Sequence, residues 1–339
     1  MISLGIVGAG SLGQTYAAML ATSGTEVTLL ATERSAARLR EAGAIRLHGA
    51  VELEVPVEAV RLTTDPRDLP NGAGVVFTTK GRELPDAARH VRANWPAADD
   101  DAAWVAGIQN GVVKDDVLAG VFGAERVVGG VTIVGAQREE DGRVAVTSRG
   151  ATYFGEFDGR PSARAQAAVD AFNRAGLPTE LAADVRSVIW SKMCNATGFF
   201  GVTCLTRIAS NHFGHYPELV NAYMGLVRET AAVANAHGVE IGAYPAFPIK
   251  SYLDRTDEEN VAWFAERAAP FDPSPNAPLS RTSMLQDLLA GRPLEVEAIF
   301  GDVCERARRV GVPVPKLEVV RDLIRAIDPG RASSPARPG

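Results

Sequence analysis

The chain has 339 residues, 46% of them apolar and 22% charged, with a formal net charge of −6. That is length enough for two domains with sizeable cores, and the acidic balance leaves no basic excess to neutralise a phosphate backbone, which argues against nucleic acid as a partner. No apolar run reaches the ~18 residues of a membrane span, so no membrane association is expected. The three cysteines, Cys194, Cys204 and Cys304, contain no C-x-x-C pair and suit neither a disulfide framework nor a structural metal site. The opening MISLGIVGAG reads as a strand entering a turn rather than as a signal peptide, and a cytoplasmic protein with reduced thiols is expected.

In chain order, ISLGIV, EVTLLA, GVVFTT and AAWVAGI are β-rich, and they alternate with predicted helices over Leu12–Thr22, Ser35–Ala42, Leu84–Arg92 and Val112–Leu118. Strands alternating with helices imply parallel βαβ units. The alternating apolar residues of Ile45–Val60 predict a hairpin inserted in this doubly wound sheet. Val127–Gln137 and Arg143–Phe157 are expected to extend the sheet as antiparallel strands. From about Pro161 helical periodicity takes over, in Ser162–Ala175, Val185–Phe199, Glu218–His237 and Leu294–Val310, interrupted by the β-like Pro178–Leu181. The two glycines of GFFGVT predict a kink or break in the helix that carries them. The proline-rich stretch Ala268–Leu279 reads as a loop, and the Pro-, Gly- and Ser-rich tail as disordered. The expected fold is therefore α/β, an N-terminal Rossmann doubly wound sheet with added antiparallel strands (1–182), then an all-helical C-terminal domain (183–327) and a tail (328–339).

The strongest local signal is Gly8-Ala9-Gly10-Ser11-Leu12-Gly13, after the first strand and opening the first helix. Gly8 allows the tight turn, Gly10 lets the backbone approach a pyrophosphate, and Gly13 allows close helix–strand packing. The helix N-terminus, with Ser11 and Leu12, turns unpaired N–H groups and a positive dipole end towards the phosphates. A dinucleotide is the ligand this pattern predicts. The second strand ends in Ala31-Thr32-Glu33-Arg34, without an acid at the position where NAD sites hold the ribose 2′-hydroxyl. Arg34, with Arg38 one turn on and Thr32 beside it, suits a 2′-phosphate, so NADPH/NADP is the expected cofactor, although Glu33 could serve NAD.

Further pieces lie along the chain: FTTKG with Lys80, IQNG with Asn110, IWSKM with Lys192, SMLQDLLAGRPLEVEAI with Ser283 and Glu295, and GVPVPKLEVV. In order and spacing, over residues 1 to about 325, they resemble the ketopantoate reductase family (2-dehydropantoate 2-reductases, of the 6-phosphogluconate dehydrogenase-like superfamily). Lys80 and Asn110 stand at the carboxyl ends of predicted parallel strands, where ligands bind in open α/β sheets, and are placed to touch cofactor or substrate carboxylate. Lys192 lies in a largely apolar helix, which suits a lysine facing a cleft. Reduction of a 2-oxo acid develops negative charge on the carbonyl oxygen, and a positioned ammonium stabilises it and delivers the proton. The resemblance implies this role for Lys192. It also implies substrate binding by Ser283 and Glu295, with Glu295 orienting the substrate or Lys192.

One part departs from the family. Asparagines are expected four and eight residues after the lysine, where this chain has Ala196 and Phe200; Asn195, three residues on, shares a helical face with Lys192 and could replace one amide in binding substrate. The departure leaves three readings: a ketopantoate reductase acting in pantothenate biosynthesis, a reductase of a less hydroxylated carbonyl substrate, and a non-catalytic nucleotide-binding protein. Lys192, Ser283 and Glu295 argue against the third. His212-Phe213-Gly214-His215 lacks a third ligand nearby and predicts no metal. The aromatic residues Trp190, Tyr223 and Trp263 read as core, and a helical second domain leaves room for a homodimer.

Overall fold

The computed structural model describes residues 2–72, 74–271 and 280–333. The chain divides into two compact units, Met1–Ile189 and Trp190–Gly339. The first contains strands β1 (Ser3–Val7), β2 (Glu26–Leu30), β3 (Ala44–Gly49), β4 (Leu53–Pro56), β5 (Arg61–Thr63), β6 (Gly74–Phe77), β7 (Trp104–Gly107), β8 (Gly129–Arg138), β9 (Val144–Gly155) and β10 (Thr179–Leu181). Its helices are α1 (Ser11–Thr22), α2 (Glu33–Ala42), α3 (Leu84–Asn94), α4 (Val113–Phe122) and α5 (Ala163–Arg174).

One sheet is wholly parallel, in the order β5-β2-β1-β6-β7. Its central strands are apolar on both faces, as strands covered by helices on both sides must be. Leu4 and Ile6 of β1 enter one core with α1, while Val7 joins Val75, Phe77, Leu84, Val91 and Leu118 in the other, with α3 and α4. This is the doubly wound arrangement expected from the alternation of elements.

The hairpin and the two long strands differ in their sheet membership from the expectation. β3 and β4 pair antiparallel, and so do β8 and β9, but all four belong to a second sheet rather than extending the first. One edge of β9 is shared by β3, against Val144–Val146, and by β10, against Thr152–Phe154; β8 takes the other edge. The two sheets meet at a bridge between Val105 and Val127. The side chain of Tyr16, on the second turn of α1, is buried and donates to Thr132 Oγ1 of β8 at 2.6 Å, with Thr152 Oγ1 of β9 3.2 Å away. The two threonine hydroxyls lie 2.9 Å apart. Burial pushes the Tyr16 hydroxyl up to about 12, against the pull of its threonine hydrogen bonds, so it stays a donor.

Helix α6 (Val185–Thr206) carries the division between the units. In the second unit follow α7 (Pro217–Ala236), α8 (Ile249–Leu253), α9 (Asp257–Ala268), α10 (Ser283–Leu289), α11 (Asp302–Val310) and α12 (Pro315–Ile327). The helix does not break at GFFGVT: α6 runs on to Thr206. The glycines serve packing instead. A Cβ on Gly198 would lie 2.4 Å from the ring of Tyr223, and one on Gly201 2.8 Å from Leu226, so both let α7 approach closely. The tertiary contact outweighs the ~1 kcal/mol propensity cost of a helical glycine. Thr256 and Glu259 form a reciprocal capping box that starts α9. Glu229 of α7 accepts the N–H groups of Lys316 and Leu317 at 3.1 and 2.9 Å, closing the N-terminus of α12. A π-helical turn, Glu297–Gly301, leads into α11. At the end of the described chain Pro329–Ser333 forms a 3₁₀ turn, with Asp328 accepting from the N–H groups of Leu294 and Gly330. The remainder of the tail and most of the proline-rich stretch lie outside the described residues. No helix among the described residues is long and apolar enough to cross a membrane.

Candidate active site

The first unit supplies a cradle at the carboxyl ends of β1, β2, β6 and β7. Gly8 has φ +109°, in the region that favours glycine, and turns the chain from β1 into α1. A Cβ on Gly13 would stand 1.9 Å from the carbonyl oxygen of Gly8, so only glycine lets α1 sit this close to the turn. Thr78, just after β6, donates to that same carbonyl at 2.7 Å, and Gln14 Nε2 donates to Ala9 O at 3.0 Å; together they hold the loop from both sides. Gly10 is the N-cap of α1, without a side-chain cap, and a Cβ there would meet nothing within 4 Å. Among the described residues no side chain crowds the N-terminus of α1 at the exposed Gly10, and Ser11 and Leu12 are half-buried in its first turn. This is the shape and polarity that a pyrophosphate fits.

At the end of β2, Ala31 is buried and Thr32 caps α2, its side chain accepting from Ser35 N at 3.3 Å. Arg34 is exposed in the first turn of α2 and makes no side-chain hydrogen bond or ion pair among the described residues. Arg38 reaches Ser35 Oγ at 3.5 Å, on the same side of the helix. Lys80, half-buried, caps a 3₁₀ turn (Gly81–Glu83) after β6. Asn110, also half-buried, follows β7 and precedes Gly111, whose φ of +105° redirects the chain into α4. Its neighbour Gln109, not singled out in the sequence, laces these two strand ends together: Nε2 donates to Phe77 O at 3.1 Å and to Thr79 Oγ1 at 3.4 Å. A buried ion pair stands close by, with Lys114 Nζ 2.7 and 2.6 Å from the two carboxylate oxygens of Asp115. Nothing in the local pattern distinguishes that lysine from a solvated one.

In the second unit the candidates gather around α6. Lys192, Asn195 and Phe199 are its half-buried residues between Ser191 and Cys204, a stripe at helical spacing; Ala196 and Phe200, at the positions of the absent asparagines, are buried. The Tyr223 hydroxyl of α7 donates to Asn195 Oδ1 at 2.9 Å. Farther along α6, Thr203 donates to Phe199 O at 2.7 Å and so must accept from Thr282, 2.9 Å away; Thr282 in turn caps α10 by accepting from Leu285 N. This chain of hydroxyls fixes Ser283, the first residue of α10, against α6. Glu295 is half-buried immediately before the helical run that begins at Val296, and its carbonyl accepts from Ile299 N at 3.2 Å. Arg292, three residues past the end of α10, donates to the buried Asp287 at 2.8 Å and shapes the turn between Ser283 and Glu295. Of these supports, sequence reasoning missed Thr78, Tyr223 and the Thr203–Thr282 pair. His212 and His215 hold their rings 6.4 Å apart, and His215 Nε2 pairs with Phe271 O at 2.9 Å.

The family described as "Ketopantoate reductase PanE/ApbA" matches residues 4–159, and its C-terminal counterpart residues 184–328. The 2-dehydropantoate 2-reductase of Halobacterium salinarum is 30% identical over 323 residues, covering 94% of this chain and 97% of that protein. That of Archaeoglobus fulgidus is 27% identical over 326 residues, 96% of this chain and 97% of that one. Among solved structures, 2-dehydropantoate 2-reductase from Geobacter metallireducens superimposes with a TM-score of 0.79 at 24% identity, covering 96% and 99% of the two chains. A complex of D-mandelate dehydrogenase with NADH gives 0.74 at 20% identity, with 96% and 98% covered.

Proposed function

This chain belongs to the ketopantoate reductase family, and from that premise we propose that it reduces 2-dehydropantoate (ketopantoate) to pantoate with NADPH, Lys192 serving the substrate's keto oxygen. It is an oxidoreductase and uses a nicotinamide dinucleotide. The observation that carries the reading is the stripe on α6: a lysine, an amide and Phe199 half-open on a helix otherwise buried along this stretch, with Ser283 pinned to the same helix by the Thr203–Thr282 hydrogen bond.

When bound, the reduced nicotinamide supplies the hydride that adds to C2 of the oxo acid. The chain's residues do the rest. The Gly8–Gly13 turn and the N-terminus of α1 receive the pyrophosphate. Arg34, with Arg38 behind it, takes the 2′-phosphate as a charge-assisted contact, which makes NADPH the preferred form. Lys192 offers an ammonium to the carbonyl oxygen, stabilises the charge as it develops and gives up the proton that completes the alcohol. Asn110, Ser283 and Glu295 hold the carboxylate and polar groups of the substrate, and Glu295 also steers Lys192. The test is NADPH oxidation followed against a panel of 2-oxo acids that includes ketopantoate. Turnover of ketopantoate above all others is expected, and absence of turnover with every 2-oxo acid refutes the assignment.

A further inference from the structure

Tyr223 is fully buried on α7, and its ring is held on every side. It wedges against α6 where Gly198 has no side chain; a Cβ there would come within 2.5 Å of two ring carbons. Phe199, Phe213 and Phe264 pack around it with centroids 4.8, 5.5 and 5.5 Å away. A ring so enclosed cannot swing, and its hydroxyl points at one partner, Asn195 Oδ1, 2.9 Å away. Burial raises the hydroxyl well above the ordinary tyrosine range, so it keeps its proton and remains a donor.

An amide whose oxygen is occupied on the inner side has its NH₂ turned the other way, because the two groups sit on opposite arms of one planar unit. Asn195 is on the half-open stripe, three residues from Lys192 and therefore on the same face. We propose that Tyr223 is a positioning residue: it holds Asn195 with Oδ1 turned towards α7, so that the amide nitrogen is presented beside Lys192 as a hydrogen-bond donor to an acceptor oxygen of the bound 2-oxo acid. The face would then offer donors alone at these two positions, complementary to a carboxylate or keto oxygen, with Phe199 forming an apolar flank one turn on. Gly198 has a reason for being glycine in the same device. The proposal rests on the reductase reading given above.

The experiment is a double-mutant cycle on the full chain with Tyr223→Phe, Asn195→Ala and the two combined, reading kcat and KM for ketopantoate and NADPH affinity by fluorescence. Tyr223→Phe keeps the ring and removes only the hydroxyl. Each single change is expected to raise KM about tenfold, the scale of one lost hydrogen bond. The double variant should be no worse than either single one, and NADPH affinity should stay unchanged. Asn195→Asp gives a second reading that leaves Tyr223 intact: the carboxylate still accepts from the hydroxyl but presents an acceptor outward, so KM should rise beyond that of Asn195→Ala. Effects that multiply in the double variant, an unchanged KM in Tyr223→Phe, or a normal KM in Asn195→Asp would each overturn the proposal. A wild-type protein that turns over no 2-oxo acid would overturn the reductase reading and this proposal with it, whereas normal turnover with an uncoupled cycle sinks the proposal alone.

Discussion

Replacing Gly10 with alanine separates cofactor binding from folding. Gly10 has φ −74° and ψ −173°, a conformation any residue adopts, and its added Cβ would meet nothing within 4 Å. The unliganded protein therefore has no reason to be weakened. Loss of glycine's freedom in the unfolded chain favours the variant by about 0.4–1 kcal/mol, which for a domain of this size is a rise of about 1–4 °C in Tm. On the proposed reading, however, the methyl group takes up the space through which a pyrophosphate approaches the N-terminus of α1. Displacing one or two charge-assisted hydrogen bonds at about 1.5 kcal/mol each weakens NADPH by roughly 10- to 100-fold. Gly13→Ala is the contrast: its Cβ would stand 1.9 Å from a backbone oxygen, so overpacking should cost the unliganded protein about 1–3 kcal/mol. Thermal unfolding without ligand and a fluorescence titration with NADPH measure both quantities. If Gly10→Ala bound NADPH with wild-type affinity, the cofactor would not pass over Gly10 and the reading of the cradle would be wrong.

Arg34→Ala should erase most of the preference for NADPH over NADH, measured as the ratio of the two dissociation constants; equal affinities in the unmodified protein refute the role. Lys192→Ala should leave NADPH binding intact and lower kcat by about 10²-fold or more, and near-normal turnover would make Lys192 a structural residue. Glu229→Ala removes the carboxylate that accepts two N–H groups at the start of α12. It should cost about 1–2 kcal/mol, seen as a lower midpoint in urea with an unchanged slope, and an unaltered midpoint would show that water replaces the cap.

What could be read from the sequence was what is local. The glycine turn, the helix that follows it and the alternation of strands with helices depend on neighbours a few residues apart, and they stand where the residues put them. The destination of the hairpin did not, because β3 finds its partner in β9, nearly a hundred residues on, and apolar alternation says only that a strand has a face to bury. Gly198 and Gly201 invited a broken helix because propensity was weighed without the ring and the leucine that α7 brings against them. The same distance concealed Tyr223 as the partner of Asn195 and Thr282 as the partner of Thr203. The candidate residues were legible as a set of types in order; what holds each one in place comes from elsewhere in the chain.

The hydroxyls of Tyr16, Thr132 and Thr152 have a consequence for how the protein can tell one dinucleotide from another. Tyr16, on the second turn of α1, ties the helix to β8 through its 2.6 Å hydrogen bond to Thr132 Oγ1. The loop is braced on its other side by Thr78. If the cradle receives a pyrophosphate as proposed, these braces hold it in the same shape whichever dinucleotide the phosphates belong to. Discrimination between dinucleotides would then fall to the exposed beginning of α2, where Thr32 and Arg34 stand. On the proposed reading, cofactor choice could drift, or be redesigned, at Thr32–Arg34 without a change to the Gly8–Gly13 turn.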